Sequence, residues 1–268
     1  MRGPRIQIGR RVGVVGMVRC GFTLVELLIT IAIMGLLIGL VLPVLGQSLR
    51  AARSFRCQMS LRSVAFDFAI FGDRELHGDR GDDRMLPGDR FRLETFQESQ
   101  YGLDEFWRWG NVLQHELPDA NNNDPMRCAQ VNGVITLSRE RPCGDSRAIT
   151  PAKNVSYGFN SRLDRPEVRR ANGSYHYPPI SLTSTVLSEG NVPLAWDIDG
   201  QLAAEKGAVP VFSTPSLRNG GAYGNERMWF PSFRHNGAGN YAFIGGHVLS
   251  SSTPLAQSAW QWGYQPID

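Results

Sequence analysis

Hydrophobic residues are spread very unevenly along this chain. From Leu27 to Leu45 it reads LLITIAIMGLLIGLVLPVL, a run of 19 residues without a charge. That is close to the ~20 residues a helix needs to cross a ~30 Å hydrocarbon core. Gly35 and Gly39 form a GxxxG spacing, which lets two helices approach closely, although glycine is common in membrane spans of every kind. Pro43 stands where such a helix would leave the bilayer, and a kink is expected there. Beyond it, Leu45, Leu49, Ala52, Met59, Phe66 and Ile70 recur at spacings near three and four or their sums. This predicts that the helix continues to about Phe71 and packs that stripe on the rest of the protein.

The pattern then breaks. Residues 72–90 read GDRELHGDRGDDRMLPGDR, a Gly-Asp-Arg repeat of mixed charge that predicts a solvated loop. The repeat also accounts for the adhesion-like tripeptide Arg80-Gly81-Asp82. Residues 93–117 carry Leu93, Phe96, Tyr101, Phe106, Trp107, Trp109, Val112 and Leu113, which predicts a short helical region interrupted at Gly102. Short strands are expected at Val131–Leu137, Val192–Trp196, Val209–Phe212, Met228–Phe230 and Tyr241–Ser250, separated by turn residues. In the last of these, Gly245-Gly246 reads as a two-residue hairpin turn. The expected fold class is α+β, a long N-terminal helix packed on a small antiparallel β-sheet head. The expected segments are a leader 1–21, a membrane helix 22–45, its extension 46–71, a charged loop 72–92 and a head 93–268.

Charge changes the picture in one respect. The first 21 residues hold Arg2, Arg5, Arg10, Arg11 and Arg19 and no acid, so losing them takes the formal net charge from +3 to −2. The chain without them has no basic footprint for nucleic acid. Arginines on both sides of the apolar run orient it poorly by charge alone.

Chemistry-bearing residues are sparse. Cys128 and Cys143 flank a short segment of the head and fit a disulfide in an oxidising compartment, with two free thiols as the alternative. The cysteine spacing fits no zinc site. The five histidines form no metal-binding motif. His235 and His247 flank the predicted hairpin and could approach each other near Asp197 or Asp199, but hydrogen bonding around a turn is the better explanation of both. Asp197, Asp199, Asn236 and Asn240 are the candidate oxygen ligands for a calcium ion, the one cofactor considered; their spacing is not that of an EF-hand. Trp196, Trp229, Trp260 and Trp262 read as packing residues, with a ligand platform as the alternative. No catalytic motif is present, and no enzyme activity is expected.

Glu26 is the residue an ordinary membrane anchor does not explain. A carboxylate this close to an apolar span costs on the order of several kcal/mol unless it is paired. If the chain is cut after Gly21, the new amine of Phe22 lies one helical turn away and can neutralise it. The acid also suits the positive end of the helix dipole.

Gly21-Phe22-Thr23-Leu24-Val25-Glu26-Leu27-Leu28, with the basic leader before it and the apolar run after it, closely resembles the processing motif of type IV prepilins and type II secretion pseudopilins. The resemblance implies cleavage after Gly21 by a prepilin peptidase and methylation of the Phe22 amine. It gives Glu26 the family's assembly role. It implies a bacterial single-pass protein of the inner (cytoplasmic) membrane, with its head outside the cytoplasm and other pilin or pseudopilin subunits as partners through the N-terminal helix. Cys57-x-x-x-Leu61-Arg62-x-Val64 loosely resembles a branch with a C-terminal domain of unknown function. So do Ser156-Tyr157-Gly158-x-Asn160 and the Arg234–Val248 hairpin, where Gly245 replaces that branch's aspartate. The implied role is a structural subunit of an envelope filament. The alternative is a membrane-anchored module that displays its head to a polymer or partner.

Overall fold

The apolar run and its continuation form one helix, α1, Leu24–Gly72, which passes through Pro43 without ending. The computed structural model describes residues 22–77, 90–101, 128–131, 156–205, 212–216 and 229–264. It divides into two units, residues 1–49 and 50–268. In the first unit the large apolar side chains from Phe22 to Leu45 are all exposed. Among the described residues, α1 is the one helix long and apolar enough to cross a membrane. Thr30, the hydroxyl within the span, donates from Oγ1 to the carbonyl of Leu27 at 2.8 Å, so its polar group is satisfied inside the helix.

In the second unit the extension of α1 buries a different face from the one the spacing predicts. Cys57, Leu61, Val64, Ala65, Phe68, Phe71 and Gly72 are buried, whereas Met59 and Phe66 are exposed with Phe55. Both sets have helical spacing. The buried set wins because it meets a dense group of rings: Phe68 and Phe71 pack edge-on against Phe91 and Phe96 at centroid distances of 5.2–5.9 Å. Such contacts add roughly 0.5–1.5 kcal/mol each beyond area burial. Phe91 falls in the predicted charged loop, yet it is fully buried and exchanges two backbone hydrogen bonds with Leu182. A four-residue helix, α2, occupies Arg74–His77, and α3 is Leu93–Tyr101. Tyr101 donates its phenol to Asp67 on α1 at 2.9 Å. The rest of the predicted 93–117 helical region and the strand residues 132–137 lie outside the described residues.

The sheet has five strands: β1 Tyr157–Asn160, β4 Pro193–Asp197, β5 Phe212–Ser213, β6 Gly239–Phe243 and β7 Val248–Ser251, in the order β5-β1-β4-β6-β7. Its pairings are antiparallel except β1–β5, which is parallel. β2 Val168–Arg169 and β3 Tyr175–His176 form a separate small ribbon, and helix α4 spans Gly200–Glu205. The arrangement is α+β. Trp229 and Phe230, expected in a strand, have no regular structure, but Pro231 bridges to Ile198. Pro193 stands at the start of the central strand, beside a register shift between Pro193 and Ala195, where its missing N–H breaks no ladder.

Two turns set the C-terminal part of the sheet. Asn236 (φ 54°) and Gly237 (φ 83°) form the centre of a tight hairpin closed by the reciprocal bonds of His235 and Ala238. Asn-Gly is the preferred pair for such a turn. Gly245-Gly246, by contrast, is not a two-residue turn. The N–H of Gly246 donates to Phe243 O at 2.9 Å, that of Phe243 donates to His247 O at 3.0 Å, and only Gly246 has positive φ, 82°. This is the longer hairpin loop that ends in a left-handed glycine. Gly245 instead lies against Gly190, whose carbonyl oxygen would stand 3.0 Å from any added Cβ, so an aspartate here would require the backbone to give.

Gly239 is held more tightly. A Cβ on it would meet the carbonyl oxygen of Ser232 at 2.6 Å. Gly239→Ala is therefore expected to destabilise the head by roughly 1–3 kcal/mol, the usual cost of overpacking. Denaturant titration of the two proteins checks this.

Candidate functional site

The first turn of α1 carries a reciprocal hydrogen-bonded cap. Thr23 precedes the helix, and its N–H and hydroxyl both donate to Glu26 Oε2 at 2.8 Å. In return Glu26 N–H donates to Thr23 Oγ1 at 3.2 Å. This is the capping box of a Thr-x-x-Glu sequence, which satisfies helix N–H groups that otherwise have no partner. It explains locally how a carboxylate is tolerated where the span begins. It also turns the carboxylate back toward Phe22, which is 74% exposed. The capping role of Glu26 was not among the roles expected from the sequence, although the Thr-x-x-Glu spacing before an apolar run was the available signal for it.

A second cluster lies inside the head. Asp197, at the end of β4, is fully buried. Its Oδ2 accepts the backbone N–H of Asn240 at 2.7 Å and stands 3.1 Å from His235 Nε2. Its Oδ1 lies 3.6 Å from Arg234 Nη1, while Arg234 Nη2 donates to the carbonyl of Ile198. The Asn236-Gly237 turn places His235 here. The same imidazole nitrogen is 3.6 Å from Cys128 Sγ, and Cys128 is bonded to Cys57 on α1, with Cα atoms 5.2 Å apart. Tyr157 and Tyr241 flank the cluster: burial first, and then the negative charge of Asp197, pushes both phenols above their ordinary range.

Residues 16–42 match the family model described as the prokaryotic N-terminal methylation motif. The chain carries a prepilin-type N-terminus. The motif implies processing by a prepilin peptidase and a membrane-anchoring helix. The match covers the residues just before Phe22 and most of the apolar run, and it leaves the rest of the chain unassigned. No curated protein and no solved structure matches it.

The remaining candidate residues fall as follows. Gly21 and Cys143 lie outside the described residues. The expected Cys128–Cys143 pairing is corrected, because Cys128 forms its one disulfide with Cys57. Sequence proximity suggested the short loop, but the sheet and α1 bring together two residues 71 positions apart. Three of the four candidate calcium residues, Asp197, Asp199 and Asn240, have protein partners. Asp199 Oδ1 accepts from Leu202 N–H at 3.0 Å, capping α4. Asn240 Oδ1 accepts from Ser250 Oγ at 2.6 Å and Gln58 Nε2 at 3.2 Å. Asn236 is exposed in its turn. His235 and His247 do not act together: His247 is exposed and stacks on Phe243 at 4.4 Å, whereas His235 is buried against Asp197. Trp196 and Trp262 are buried in a group of rings with Tyr241, Trp229 and Trp260.

Proposed function

We propose that this chain is a structural subunit of an envelope filament of the type II secretion or type IV pilus kind, without catalytic activity. Prepilin peptidase cuts between Gly21 and Phe22, and the Phe22 amine is methylated. The helix beginning at Leu24 then holds the subunit in the inner membrane with its head outside the cytoplasm, and later packs against the same helix of other subunits. The observation that carries this reading is the methylation motif at residues 16–42 running directly into an apolar helix whose side chains have no cover of their own. The exposed Phe55, Met59 and Phe66 support it further, since they extend apolar surface along α1 beyond the span. Trp196 and Trp262 lend nothing to the display-module reading, because they are buried in the head.

Mass spectrometry of the mature N-terminus tests processing, with methyl-Phe22 expected; an intact Met1 would overturn the reading. Two substitutions then separate the roles of Glu26. Glutamine can still accept the Thr23 bonds of the capping box but carries no charge. Glu26→Ala and Glu26→Gln are both expected to be cleaved normally yet to lose crosslinks to other subunits. Normal crosslinking of Glu26→Gln would reduce the residue to a helix cap.

A further inference from the structure

We infer that Cys57, Cys128 and His235 in their dithiol form are a binding site for a thiophilic divalent cation such as Zn2+, closed when the two cysteines form their disulfide. The inference concerns residues of the second unit, 50–268, and is independent of the filament role. The three ligand atoms lie within 4.8 Å of one another, and all three residues are buried. Cys128 Sγ and His235 Nε2 are 3.6 Å apart. With Zn–S about 2.3 Å and Zn–N about 2.0–2.1 Å, the edge of a tetrahedron between these ligand types is about 3.5 Å. Opening the disulfide separates the sulfurs from about 2.05 Å to an edge of about 3.8 Å, a side-chain adjustment.

The surroundings suit thiolates better than a neutral disulfide. Ala129 N–H points at Cys57 Sγ at 3.1 Å, and Gln130 N–H at Cys128 Sγ at 3.5 Å. Backbone donors aimed at a group favour its charged form. His235 Nδ1, also buried, has no hydrogen-bond partner among the described residues, and its Nε2 faces the sulfur and Asp197. Asp197 Oδ2 is the neighbouring oxygen donor, held in place by Asn240 N–H. Two thiolates and this carboxylate balance the cation together with Arg234, so the buried site carries no net charge, the condition for burying charged groups at tolerable cost.

The two states interconvert by ordinary thiol chemistry. A dithiol reductant gives two electrons and two protons to the Cys57–Cys128 bond and becomes a disulfide itself. Zn2+ then binds the two sulfurs and displaces both thiol protons. No spacing of cysteine and histidine in the chain announces this site, because its ligands come from α1, the 128–131 turn and the hairpin at Asn236-Gly237.

The test uses the full chain in detergent micelles, with Cys20→Ser and Cys143→Ser so that two thiols remain. A phosphine reduces the bridge, becoming the phosphine oxide with oxygen from water, and Co2+ serves as the spectroscopic probe without oxygen. One equivalent is expected to bind to the reduced chain, with thiolate charge-transfer and tetrahedral d–d bands that Zn2+ bleaches. The oxidised chain is expected to bind none. His235→Ala and His235→Gln, each checked for folding by forming the Cys57–Cys128 bridge, are expected to weaken cobalt binding at least tenfold. Zn2+ is also expected to raise the melting midpoint of the reduced chain. Absent bands, undiminished binding in the folded His235 variants, or a melt of the reduced chain indifferent to Zn2+ would overturn the site.

Discussion

Replacing both Cys57 and Cys128 by alanine is expected to lower the stability of the head by about 4 kcal/mol, the chain-entropy value for a cross-link enclosing some 70 residues. For a domain of this size that corresponds to a melting midpoint lower by roughly 10 °C. The bridge joins the buried face of α1 to the turn at 128–131, two segments 71 residues apart, and so restricts the unfolded chain strongly. Cys143→Ala is expected to leave the melt unchanged, since Cys128 is bonded to Cys57. Thermal melts of the three proteins, with peptide mapping of the native disulfide, check both statements. A Cys128–Cys143 peptide in place of Cys57–Cys128 would reverse them.

The second large effect is expected at Asp197. Removing one partner from a buried charged cluster typically costs about 3–5 kcal/mol, because the charge left behind has neither water nor a counter-charge. Asp197→Ala leaves Arg234 beside an empty position, removes the acceptor of Asn240 N–H, and takes the carboxylate from His235. Asp197→Asn keeps the size of the side chain and one acceptor, so its cost is expected to be clearly smaller. Urea titrations of the three proteins order them. Equal losses for both variants would mean that the charge does not matter and that shape or the single hydrogen bond carries the effect.

These two expectations stand on residues whose importance was poorly legible in the chain. Asp197 was noted as an oxygen ligand for calcium and as a neighbour of His235, and the second expectation holds at 3.1 Å; its other partner Arg234, brought by a turn some 40 positions away, was not foreseen. The signal for that turn was present: Asn236-Gly237 is the strongest short hairpin pair, yet the neighbouring Gly245-Gly246 drew the reading instead. Phe91 was hidden by the charged repeat beside it, although it is fully buried. Strand β4 and the hairpin of β6 and β7 were legible because short apolar runs bounded by turn residues act over a few positions.

The sequence by itself determined the prepilin-type N-terminus. Cleavage motif, capping box and apolar span are each written in consecutive residues, and a helix in a membrane satisfies its backbone without help from elsewhere. Only the tertiary structure decided which side of the α1 extension is buried. Phe55, Met59 and Phe66 have helical spacing as good as that of Cys57, Leu61 and Phe68, and periodicity cannot choose between two apolar faces of one helix. The choice was made by the rings and the cysteine that the rest of the chain brings to one face. The same meeting pairs Cys57 with Cys128 and sets His235 beside them.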